Sequence, residues 1–108
     1  MDVLFTDEKT QRALSNQRDL RRRFGALGAK KITLRLQQLA AAPTLADMRP
    51  LPGRCHELSG DRAGCFAVDV HQPYRLVFQP TSSMRDPDTS EDWDAIDSVT
   101  IIEVVNYH

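Results

Sequence analysis

Two histidines, an arginine and a tyrosine stand out as groups that can do chemistry: His56, Arg75, Tyr107 and His108. An imidazole with an ordinary pKa of about 6.5 can take or give a proton at neutral pH. A guanidinium stays charged, and its fork of donors matches two oxygens of a phosphate. A phenol can stack, hydrogen-bond or share a proton. Such a set supplies a base, an acid and positive charge, which metal-free attack on a phosphodiester requires. Each residue also has a plainer reading. His56 can hydrogen-bond within a sheet, Arg75 can pair with Asp69 or Glu103, Tyr107 can be a core aromatic, and His108 can be a frayed end.

The elements that must position these residues form a helical front and a stranded back. Residues 2–5 read as an edge strand or an ordered N-terminal arm. Thr6 or Asp7 is a candidate N-cap, with Glu8 in the first turn where the helix dipole favours negative charge. Ala13, Leu20 and Phe24 share one stripe, with Leu14 at its margin, and Gly25 ends that helix. A second helix is predicted from about Leu27 to Ala42. Ile32, Leu36, Leu39 and Ala40 form its apolar stripe, Lys30, Lys31 and Arg35 face elsewhere, and Pro43 stops it. Leu45 and Met48 are expected to tuck one turn against the core.

From His56 the period becomes two. His56 and Leu58 lie on one short strand, Gly60 to Gly64 forms a turn, and Phe66, Val68 and Val70 alternate with Ala67 and Asp69. Tyr74, Leu76 and Phe78 alternate with Arg75 and Val77 after a Gln72–Pro73 turn. Val99 to Val105 is apolar on both faces and so belongs inside a sheet. Helices first and strands after predict one α+β domain over residues 1–108. A helical hairpin (about 7–42) covers one face of a mostly antiparallel sheet of four to five strands (about 54–108), and the other face stays open to carry His56, Arg75 and His108.

Composition narrows the class. A chain of 108 residues, 41% apolar and 27% charged, suits one globular domain. No apolar run approaches the roughly 20 residues of a membrane span, and the N-terminus lacks a secretory signal, so a cytoplasmic protein is expected. Cys55 and Cys65 form no CxxC and no zinc-finger pattern with histidine, so they read as small structural thiols and no metal or cofactor is expected. The net charge of −1 hides an asymmetry. All 14 Lys and Arg fall in residues 1–85, against 8 acids; residues 86–108 hold 7 acids and no Lys or Arg. A basic face can therefore meet nucleic-acid phosphate while the acids sit elsewhere. Arg18, Arg21, Arg22, Arg23, Lys30, Lys31 and Arg35, with Arg49, Arg54 and Arg62, are the candidates for that contact, and a solvated helix face is the alternative.

The run Cys55-His56-Glu57-Leu58-Ser59-Gly60-Asp61-Arg62-Ala63-Gly64, then Tyr74-Arg75-Leu76-Val77-Phe78, then Val104-Val105-Asn106-Tyr107-His108, resembles the HigB group of the RelE/ParE toxin superfamily. That pattern is H-x-L-x-G-x-x-x-G, Y/W-R-x-x-F and a terminal D-Y-H, met here in order over about residues 20–108. The resemblance implies a RelE-like fold and the toxin of a type II toxin–antitoxin pair. It also implies a ribosome-dependent mRNA endonuclease that works without metal in the ribosomal A site. His56, Arg75, Asn106, Tyr107 and His108 stand at its functional positions. The implied partners are ribosome, mRNA and a HigA-like helix-turn-helix antitoxin, with operator DNA bound only through that antitoxin and no membrane.

Two departures matter. Asn106 stands where the pattern has aspartate, and an amide cannot accept a proton as a carboxylate does. The segment from Pro80 to Asp97 is long and carries Asp86, Asp88, Glu91, Asp92, Asp94 and Asp97, so it is expected to project away from any RNA site. The asparagine leaves room for a ParE-like gyrase poison without nuclease activity, or for an attenuated toxin that still binds its antitoxin.

Overall fold

The computed structural model describes residues 1–82 and 92–107. The chain runs β1 (Asp2–Phe5), α1 (Glu8–Ser15), α2 (Gln17–Ala41), β2 (His56–Glu57), β3 (Phe66–Asp69), β4 (Tyr74–Pro80) and β5 (Ser98–Asn106), with short 3-10 turns between them. The strands form one sheet in the order β1-β5-β4-β3-β2. Every neighbouring pair is antiparallel except β1 with β5. This is the expected α+β architecture, with Asp2–Phe5 forming an edge strand rather than an arm.

Local chemistry explains the helices. Asp7 is the N-cap of α1; its carboxylate accepts from Thr10 N at 2.7 Å, and that bond holds the Asp7 carboxyl below its usual range. The first helix does not reach Gly25 unbroken. Asn16 leaves helical geometry and caps α2 by accepting from Asp19 N at 3.1 Å. That break resets the helical phase, so Leu14 rather than Ala13 faces the core. Gly25 does bend the chain, at φ 76, ψ 172, inside what is otherwise one long helix. The expected hairpin is therefore three helical pieces with breaks at Asn16 and Gly25.

The core lies between these helices and one face of the sheet. Leu14, Leu20, Ala29, Ile32 and Leu39 pack on Phe66, Val68, Leu76, Phe78, Val99 and Ile101. Leu45 and Met48 are fully buried in a 3-10 turn, and Leu45 N donates to Ile96 O at 2.9 Å. That bond ties the end of the acidic segment to the core. Trp93 meets Phe66 edge to face, with the Arg49 guanidinium 4.2 Å over its ring. Asp92, Asp94 and Asp97 remain exposed, whereas Asp86, Asp88 and Glu91 lie outside the described residues. The segment joins β4 and β5 at the end opposite Tyr74 and Asn106, since Pro80 pairs with Val99 and Tyr74 with Asn106. At about 3.3 Å per residue, the seven residues of β4 put roughly 20 Å between those ends.

Arg35 corrects the sequence reading. It is 4% exposed, its Nε donates to Asp69 O at 2.9 Å, and its Nη1 donates to Gln38 Oε1 at 3.0 Å. Ala29, Ile32, Arg35 and Leu39 follow helical spacing, so the arginine sits on the inner stripe and spans to the end of β3. Ala40, placed on that stripe from the sequence, is exposed instead.

Candidate active site

The sheet face away from the helices follows from strand alternation. His56 pairs with Ala67, Ala67 with Val77, and Val77 with Glu103, giving one row across the face. The next row is Asp69, Arg75 and Val105. A bulge at Val77/Phe78 makes Ile102 the extra residue of β5, so alternation then places Tyr107 on this same face.

This face was expected to be open, and half of it is roofed. Ala67 and Val77 are fully buried although they point away from the helices. The segment after β2 folds across them: Leu58 N donates to Cys65 O at 2.8 Å, and Arg62 reaches the far strand to pair with Glu103. Beyond that roof lies a cleft of about 410 Å³ lined by Leu58, Ser59, Asp61, Arg62, Val105, Asn106 and Tyr107.

Charge and hydrogen bonds converge at the other half. The Asp69 carboxylate accepts from Arg75 Nε at 2.9 Å through one oxygen and from Arg54 Nε at 2.8 Å through the other. The Arg75 guanidinium also lies 4.2 Å from the Tyr107 ring centre. Tyr107 N donates to Pro73 O at 3.1 Å, which pins the end of the chain over β4. His56 Nδ1 is 2.7 Å from Arg54 O. A carbonyl oxygen only accepts, so Nδ1 carries the proton and, in the neutral ring, Nε2 keeps the lone pair. Two strand spacings across the sheet and two residues along β4, roughly 12 Å in all, separate the backbones of His56 and Arg75. The arrangement can bind a phosphate between strands and present an imidazole lone pair to a neighbouring hydroxyl.

Neither protein-family models nor curated protein sequences give a match to this chain. Solved structures do. A "YoeB/ParE toxin from Agrobacterium tumefaciens" superposes with a TM-score of 0.58 at 17% identity, covering 100% of both chains. The "YoeB-YefM complex from Staphylococcus aureus" gives 0.56 at 14%, and "the YoeB dimer from Staphylococcus aureus" 0.55 at 16%; each covers 100% of this chain and 97% of the other. The chain carries the YoeB/ParE toxin fold.

On that toxin fold, the structure gathers His56, Arg54, Arg75 and Tyr107 at one end of the free face, with Arg62 and Asn106 at the cleft beside them. Asn106 pairs with Tyr74, a register opposite in facing to that of Val105 and Tyr107. His108 lies outside the described residues. Arg18, Arg21, Arg22, Arg23, Lys30 and Lys31 belong to the helical layer, across the sheet from the cleft. Arg22 pairs with Asp19 at 2.8 Å, and Arg23 stacks over Phe24.

The sequence reading missed Asp61 and Ser59 as cleft walls and weighed Asp69 only as an ion-pair partner. Its one legible sign was the alternation that puts Asp69 on the Arg75 face. Burial pushes the Cys55 thiol up to about 12 and raises Cys65 as well, which keeps both as neutral thiols.

Proposed function

We propose that this protein is a HigB-like toxin that cuts mRNA on the ribosome by metal-free attack of the 2′-hydroxyl. The observation that carries the reading is the convergence of His56, with Nδ1 committed to a carbonyl, and the Arg75–Tyr107 stack on one free sheet face. His56 Nε2 takes the 2′-hydroxyl proton. The oxygen then attacks the adjacent phosphorus, the bond to the 5′-oxygen breaks, and a 2′,3′-cyclic phosphate forms. Arg75 offsets charge on the phosphate oxygens, with Arg54 beside it. His108 is assigned to protonate the departing 5′-oxygen, Tyr107 to stack on or orient the RNA, and Asn106 to hydrogen-bond it. Cations of the helical layer and Arg62 contact ribosomal RNA.

The protein is proposed to act in the cytoplasm and to be neutralised by a HigA-like helix-turn-helix antitoxin that alone contacts operator DNA. One structural neighbour was solved as a complex with YefM, which supports a dedicated protein partner. Asn106 in place of aspartate favours a second reading, a toxin that binds its target without cutting RNA, as a gyrase poison does.

The deciding assay adds purified protein to mRNA with and without programmed ribosomes, beside His56→Ala, His108→Ala and Asn106→Asp. Cuts only on ribosomes, lost in either histidine variant, establish the endonuclease. Cutting by Asn106→Asp alone identifies an attenuated toxin. No cutting by any version turns the question to a gyrase supercoiling assay.

A further inference from the structure

Asp69 spends every polar atom it has on the groups just described. Its N–H donates to Gly53 O at 2.7 Å, and its carbonyl accepts from Arg35 Nε at 2.9 Å. One carboxylate oxygen holds Arg75 and the other holds Arg54. Its side chain is 22% exposed, so these bonds are partly shielded from water. The buried arginine thus fixes the backbone of Asp69 from the helix side, and the carboxylate faces the cleft side.

Arg54 is the unusual partner. Its φ is 51, a left-handed backbone that side-chain-bearing residues rarely adopt, and it follows Gly53 at φ 111. That geometry turns the Arg54 carbonyl onto His56 Nδ1. The guanidinium of the same residue is anchored on Asp69 Oδ2 by Nε and by Nη2, both at 2.8 Å. A chain of contacts therefore runs from Arg75 through Asp69 and Arg54 to the ring of His56.

We propose that Asp69 is the positioning residue of this site: by anchoring Arg54 in its left-handed turn, it keeps the Arg54 carbonyl on His56 Nδ1, while its second oxygen holds Arg75 against the Tyr107 ring. The consequence is a fixed tautomer, with the proton on Nδ1 and Nε2 bare. Free histidine in water favours the opposite form. The inference rests on the nuclease reading for its catalytic meaning, but its physical content is the tautomer.

The test compares the native chain with Asp69→Asn, Arg54→Ala and Arg54→Gly. Ring nitrogen-15 shifts of His56, assigned with His56→Gln, report the tautomer above the imidazole titration. Cutting on programmed ribosomes reports the rate, and thermal melts report folding. The native ring is expected as the Nδ1–H form. Asp69→Asn and Arg54→Ala should move it toward Nε2–H and lower kcat about tenfold, with KM for programmed ribosomes changing less. Arg54→Gly should keep the native tautomer, because glycine holds a left-handed backbone without an anchor.

A folded Asp69→Asn that keeps the native tautomer overturns the proposal, and so does Arg54→Gly showing the same His56 tautomer as Arg54→Ala. If Asp69→Asn fails to fold, the Arg54 pair decides alone. If the native chain cuts no mRNA, the nuclease reading falls while the tautomer comparison still decides the role of Asp69.

Discussion

At the scale of single residues, the site turns on which atoms are already committed. His56 has given Nδ1 to a carbonyl, so removing its ring removes one defined proton acceptor. His56→Ala should slow ribosome-dependent cutting about 100-fold or more, the size expected for losing a general base, with ribosome affinity little changed. Measured kcat at saturating ribosomes checks this, and a loss confined to KM would assign the ring to binding.

Arg35 makes the contrasting case, a cation the sequence offered to RNA and the fold uses inside. Arg35→Met keeps the stem volume but loses bonds to Asp69 O and Gln38 Oε1, so urea unfolding should show about 1.5–3 kcal/mol less stability.

Cys55 gives a pH signature. Its thiol is raised from 9.0 to about 12 in the folded chain. The unfolded chain therefore loses this proton first. The Cys55 contribution is whole below about pH 9 and drains away as pH rises from there toward 12. Unfolding midpoints at pH 8 and pH 10 should fall less in Cys55→Ala than in the native chain; equal slopes would mean the thiol does not ionise on unfolding.

At the scale of elements, two glycines separate strain from crowding. A Cβ at Gly53 would stand 2.7 Å from Val68 Cγ2 and 2.8 Å from Arg35 Nε, on a backbone at φ 111. Both neighbours are buried, so neither can step aside. Gly60 has φ 68 and nothing within 4 Å of such a Cβ. Gly60→Ala should cost about 1 kcal/mol of backbone strain, and Gly53→Ala at least about 2 kcal/mol more. Equal losses in thermal unfolding would show that the Gly53 turn relaxes.

The same scale shows where patterning was legible. Period two identified β3 and β4, because each alternates a helix-covered face with a second face, whereas β5 was legible as a run apolar on both faces. The break at Asn16 was not legible, since the apolar spacing from Ala13 to Phe24 is compatible with one unbroken helix. The roof over Ala67 and Val77 was also hidden. A Gly-flanked turn states that the chain reverses, but not that it folds back over the sheet.

At the scale of the whole molecule, charge is distributed by layer. The helical layer carries Arg18, Arg21, Arg22, Arg23, Lys30 and Lys31, while Arg62 lines the cleft and Arg54 and Arg75 lie beside it on the far side of the sheet. Lys30→Gln with Lys31→Gln should weaken ribosome binding a few-fold and lower its salt slope by roughly one per lost phosphate contact, leaving kcat unchanged. A fall in kcat would place these lysines at the reacting centre instead.

Composition, periodicity and caps in the amino-acid sequence determine the α+β class, a helix start at Thr6 or Asp7, a helix break at Gly25 and the alternating faces of two strands. They do so because each depends on neighbours within a few residues. Ordered motifs also single out His56, Arg75 and Tyr107. Only tertiary structure decided that Arg35 is internal and that Arg54 shares a carboxylate with Arg75. It alone fixed His56 in one tautomer. The arginine outcomes depend on Arg35 and Arg54, 34 and 15 positions from Asp69, meeting it at one strand end, and neither hydropathy nor charge along the chain encodes such meetings.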